Sequence, residues 1–159
     1  MVFIKKFFFI AAIFVLALSL SACGLRERET ATEMNESGYK YENKGLGFSL
    51  KLPVEFQYYQ TQRKDMADFV DLEIFVPTAD INYPQEVPSY AKPLVVRIYN
   101  RGFWEGTKED GEERSVYEKV GEKGEKIYAL GFWKTTPADW QNKWTDEMKD
   151  KIKATFKIE

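Results

Sequence analysis

Histidine is absent from this sequence, and cysteine occurs once, at Cys23. The first absence removes the side chain that most often ligates zinc or acts as a general base near neutral pH, so a nucleophile–histidine pair is ruled out. The second excludes an intrachain disulfide. Charge of one sign is not in excess either. The net charge is −2, and without residues 1–22, which hold Lys5 and Lys6, 21 basic side chains stand against 25 acidic ones. Binding nucleic acid without sequence preference needs a basic face, which this balance does not supply. A phosphate-cradling glycine loop is missing as well: Gly45, Gly47, Gly121 and Gly124 stand in turn-like settings. Ser49 lies in a strand pattern, away from any Gly-x-Ser-x-Gly elbow.

Long apolar runs are rare too, and the one that exists is informative. "FFFIAAIFVLALSL", residues 7–20, follows the two lysines. It is shorter than the roughly 20 residues a spanning helix needs, and it suits the apolar part of a secretory signal. Next comes Leu20-Ser21-Ala22-Cys23. These four residues resemble the lipobox of bacterial lipoproteins at every position. The resemblance implies a diacylglycerol thioether on Cys23, removal of residues 1–22 as a signal peptide, and acylation of the new amino terminus. A single acyl chain binds a bilayer only reversibly, whereas two or three hold it stably. Two other readings compete: a signal-anchor helix with an incidental cysteine, and a simple secretory signal cut near Ala22. The lipoprotein reading places the chain on the extracytoplasmic side of a bacterial membrane. Gly24 stands where an Asp would favour the inner membrane in enterobacteria, so cytoplasmic and outer membranes both stay open.

Residues 23–38 follow as the lipidated cysteine and a tether, since "GLRERETATEMNESG" carries few large apolar residues and no strand alternation. From residue 39 to 159 the pattern becomes that of a folded domain. "YKYEN" and "GFSLKLP" alternate apolar and polar residues across a Gly45–Gly47 turn, and Pro53 ends the second strand. "EFQYYQT" reads as a short strand, and "DFVDLEIFVP" as a longer one with Val70, Leu72, Ile74 and Val76 on one face. Residues 77–93 hold four prolines and read as a long loop. "LVVRIYN" predicts a central strand, and "SVYEKVG" with "EKIYALGFWK" a hairpin whose second strand is buried on both faces. The spacing of Trp140, Trp144, Met148 and Ile152 predicts a closing helix, with Thr136 as N-cap, Pro137 first and Asp139 in a capping box. Glu147 and Lys151 lie four apart on its exposed side, and "ATFKIE" predicts a last strand. The expected class is α+β, an antiparallel sheet packed by helices.

Two stretches carry a family resemblance. "YENKGLGFSLKLP" resembles the opening hairpin of PsbP-like domains, and "TPADWQNKWTDEMKDKIKATFKI" is similar to their closing helix and last strand. The resemblance implies an α/β/α sandwich with non-enzymatic interaction roles. It transfers no functional residues, because the histidines of the photosynthetic members have no counterpart here.

Candidate chemistry is sparse. Asp65, Asp68, Asp71 and Glu73 cluster, but on a strand Asp71 and Glu73 share a face that is expected to be solvated. "DINYPQE" offers Asp80, Asn82 and Glu86 without the spacing of a calcium loop. Neither a catalytic group nor a metal or other cofactor is assigned. Tyr99, Phe103, Trp104, Trp133, Trp140 and Trp144 are groove candidates, with Trp140 and Trp144 assigned to the core by their spacing. Arg101, Phe103 and Trp104 in "NRGFWEG" form a candidate interface just past a strand end. The sequence therefore reads as a membrane-anchored envelope lipoprotein with an interaction or accessory domain. Its partners are membrane lipid, through Cys23, and an envelope protein. A small-ligand or glycan binder is the alternative, and a carboxylate-based hydrolase ranks below both.

Overall fold

The computed structural model describes residues 30–35, 38–107 and 116–159. Leu20, Ser21, Ala22, Cys23 and the acidic stretch around Asp110-Gly111 lie outside the described residues. The domain is α+β and consists mostly of antiparallel strands in two sheets. The first sheet has the order β1 (Thr30–Asn35), β2 (Gly38–Asn43), β3 (Phe48–Leu52) and β9 (Lys157–Ile158). The second orders β4 (Gln60–Asp65), β5 (Phe69–Pro77), β6 (Tyr90–Asn100), β8 (Lys126–Phe132) and β7 (Tyr117–Lys123). Among the described residues two α-helices complete it: α1 (Arg101–Gly106) and α2 (Asp146–Thr155).

Apolar alternation on facing strands builds the core between the sheets. Tyr41, Phe48, Leu50 and Leu52 come from the first sheet, and Leu72, Ile74, Val96, Ile98, Tyr128 and Leu130 from the second. Phe56, Trp140, Trp144, Met148 and Ile152 join them in the same cluster. The β2–β3 turn is stapled by Asn43, whose side-chain oxygen accepts the Leu46 N–H, while Tyr128 donates its hydroxyl to the Leu46 carbonyl. Gly47 has φ +76° there, a left-handed conformation that favours glycine.

Several expectations shift. The single sheet between helices becomes two sheets with one ten-residue helix. β1 lies inside the stretch that composition reads as tether, and it pairs with β2 from Thr30↔Glu42 to Asn35↔Gly38. "EFQYYQT" splits into a 3₁₀ turn, Val54–Phe56, and the later strand β4, separated by Tyr58 at φ +62°. The proline-rich loop is shorter than predicted because Pro93 falls within β6, beside the irregular register between Ile74 and Val76, where a missing N–H is tolerated.

The closing helix starts late. Thr136 does not cap it; Thr145 does, accepting the Met148 N–H. The earlier residues Ala138–Trp140 make a 3₁₀ turn instead. The predicted stripe is nevertheless buried, because the Trp144 N–H reaches the Trp140 carbonyl at 2.9 Å and keeps both indoles on one side. Trp140 is 2% exposed, meets Phe56 edge-on and donates its indole N–H to the Pro77 carbonyl. Trp140→Ala should cost about 3–5 kcal/mol, read as a lowered midpoint in urea unfolding. A change under about 1 kcal/mol would remove it from the core.

Candidate functional site

The outer face of the five-stranded sheet, turned away from the shared core, holds the polar chemistry. Register places Asp71 opposite Arg97, with Phe69 opposite Tyr99 beside them. Arg97 donates from Nε and Nη2 to the two Asp71 carboxylate oxygens at 2.6 and 2.7 Å. Its guanidinium carbon lies 3.7 Å from the Phe69 ring centre and 4.1 Å from that of Tyr117, so the cation sits between two rings. Burial alone would lower the Arg97 pKa, but the Asp71 carboxylate, Tyr99 and Tyr117 reverse that and raise it. Burial pushes the Tyr117 hydroxyl up to about 12, against the opposing pull of Arg97.

Here the sequence reading is corrected. Asp71 and Glu73 are 5% and 4% exposed, so their face is buried. The reason is charge pairing inside a central strand. Asp71 has Arg97; Glu73 lies 2.8 Å from both Lys64 on β4 and Lys92 on β6. Asp65 is held by Arg63 on its own strand and takes no part. A signal was present in "LVVRIYN": an arginine in the middle of an apolar run requires a buried anion next to it.

Lys64 and Lys92 also bind Glu86, on the loop between β5 and β6. The Lys92 hydrogen bond, more than the Lys64 one, holds the Glu86 carboxyl below its usual range against burial. The loop is clasped at its other end. Asp139 accepts the Thr78 hydroxyl at 2.7 Å and the Ala79 N–H at 3.1 Å, while Asp80 accepts the Ala138 N–H at 2.9 Å. Of the calcium candidates, Asp80 accepts from the Ala138 and Asn82 backbone N–H groups, whereas Glu86 is taken by the two lysines. Among the described residues no cluster of three or more acidic, cysteine or histidine side chains is arranged to hold a metal ion.

Between this loop and the sheet lies a cleft of about 250 Å³. Tyr83, Tyr90, Tyr117 and Trp133 line it, with Val95 and Gly131 on the sheet and Glu86, Lys92 and Lys134 also in the lining. Gly131 is required by close approach: a Cβ there would fall 2.7 Å from the Tyr117 ring. Tyr83 donates its hydroxyl to the Thr135 carbonyl and meets the Trp133 ring edge-on at 6.4 Å.

No family model, curated protein or solved structure matches this chain.

Of the six aromatic groove candidates, only Trp133 lines the cleft. Trp140 and Trp144 are core residues. Tyr99 is buried with Ile127 and Ala129 in a second cluster, against which Phe103 and Trp104 pack half-buried. Trp104 lies 5.1 Å from the Tyr99 ring. Arg101 donates to the Gly124 carbonyl and pairs with Glu122 and Glu105. Sequence reasoning missed Tyr83, Tyr90 and Tyr117 because they come from a loop, a strand start and an edge strand.

Two outcomes follow. Asp71→Asn or Arg97→Met alone should cost about 3–5 kcal/mol, since each leaves a buried charge unmatched, and the double variant should cost less than the sum in urea unfolding. Additive losses would mean that the pair is not coupled. For Asp139, burial raises the carboxyl pKa, but the bonds from Thr78 and Ala79 outweigh it and the net shift is downward. Its stabilisation is therefore complete above the ordinary Asp range, near about pH 3.9, and is lost as pH falls below it. The difference in Tm between wild type and Asp139→Ala should shrink on acidification; a difference independent of pH would contradict the clasp.

Proposed function

We propose that the protein is a bacterial envelope lipoprotein, lipidated on Cys23 after removal of residues 1–22, whose PsbP-like domain works by binding as an accessory to another envelope component. The observation that carries the reading is Leu20-Ser21-Ala22-Cys23, opening on the last residue of a 14-residue apolar run that follows two lysines. The PsbP-like assignment is supported by how the two resembling stretches meet. β3 pairs with β9, and Phe48 of the opening hairpin stacks on Phe156 of the closing segment at 5.4 Å.

A binding role, as opposed to hydrolysis, is supported by the state of the carboxylates. Both oxygens of Asp71 accept from Arg97, and Glu73 is clamped between two lysines. A general acid or base needs a carboxylate that can exchange protons with a substrate, and these are committed to internal cations. The cleft, lined by aromatic rings and charges of both signs, is the kind of concavity that recognises a ligand.

Metabolic labelling with an alkyne palmitate analogue tests the anchor. Wild type should carry the label and have the mass expected after loss of residues 1–22. Cys23→Ser should be unlabelled and keep them. Unlabelled wild type, or label retained in Cys23→Ser, would overturn the lipoprotein reading.

A further inference from the structure

We infer that the cleft between the Thr78–Ser89 loop and the five-stranded sheet is a saccharide site, taking one or two neutral sugar rings. This deepens the binding role proposed above and rests on that reading only for where the ligand is met.

Tyr83 and Trp133, which meet edge-on, line the cleft together with Tyr117, which is held against Arg97 and accommodated by Gly131. Rings fixed in this way offer flat apolar surface at little entropic cost, and the C–H faces of a pyranose are flat and apolar too. The volume is also decisive. About 250 Å³ lies at the small end of ligand clefts, too little for a folded partner and enough for one or two hexoses.

Charge then selects among small ligands. Lys92 and Glu86 bond each other, and Lys64 and Glu73 extend the same network beneath them. An ionic ligand would have to compete with pairs already made. A polyhydroxylated ligand donates to the Glu86 carboxylate and accepts from the Lys92 ammonium without breaking their pair, and its hydroxyls accept equally from Lys134, the other charge in the lining. The loop that roofs the cleft is held at both ends, by Asp139 on Thr78 and Ala79 and by Glu86 on the two lysines, so the site is formed before ligand arrives.

The test titrates the full lipidated chain, in a detergent without a sugar headgroup, with a neutral N-acetylhexosamine trimer, a neutral glucose trimer and a trimer of uronic acid, following tryptophan fluorescence. The expected result is a saturable change with at least one neutral trimer, weakened about tenfold or more in Tyr83→Ala. Tyr90→Ala serves as the second variant if Tyr83→Ala does not fold, as judged by its Tm. Trp104→Phe, outside the cleft, should leave the affinity unchanged. A response to the uronic trimer alone, no saturable response to any, or equal affinity in the cleft variants would overturn the inference. Palmitate labelling is read separately, so loss of the saccharide site leaves the lipoprotein reading standing, and the reverse.

Discussion

The Arg97–Asp71 pair, held between the rings of Phe69 and Tyr117, is the constraint on which the outer face of the large sheet depends. A guanidinium 8% exposed needs an anion and a low-polarity wall that still attracts it, and it has both. Fixing Arg97 also fixes Tyr117 across β8, which requires the bare Cα of Gly131. On the same face, Glu73 joins Lys64 and Lys92 and, through them, Glu86 on the loop. The charges on this face thus position aromatic rings and a loop. They are arranged for holding shape, which is what a binding surface needs.

The two faces of the sheet solve different problems. The inner face is alternating Leu, Ile and Val meeting the first sheet and α2, and its stability is mainly hydrophobic. Among the described residues the outer face has no second sheet, and it is closed by α1 at one end and by the β5–β6 loop at the other. Phe103 and Trp104 of α1 pack against the buried Tyr99 cluster, which makes that end more closed than the cleft end. The proposed site falls where coverage is incomplete.

Much of the fold was legible because periodicity reports burial directly. Val70, Leu72, Ile74 and Val76 gave β5, the double-sided apolar run gave β8, and the four-residue spacing found the buried stripe of Trp140, Trp144, Met148 and Ile152. Boundaries were harder. The cap moved from Thr136 to Thr145 because Asp139, which a capping box would have used, is committed to Thr78 and Ala79 some 60 positions away. The site was the least legible part. Alternating acids in β5 look the same in sequence whether they face water or buried cations, and the cations come from β4 and β6. Tyr83, Tyr90, Tyr117 and Trp133 meet only through tertiary structure, so no local spacing announces them. The proposed lipobox is the opposite case: a contiguous motif, read entirely from four residues.

The central claim is that a caged, ion-paired Arg97 organises the proposed binding face, and nuclear magnetic resonance of the arginine Nε–H groups tests it most directly. The account predicts that the Arg97 Hε is displaced by the ring currents of Phe69 and Tyr117 and exchanges slowly with water, and that both signatures disappear in Asp71→Asn. An Arg97 Hε with an ordinary shift and fast exchange in the wild-type protein would contradict it.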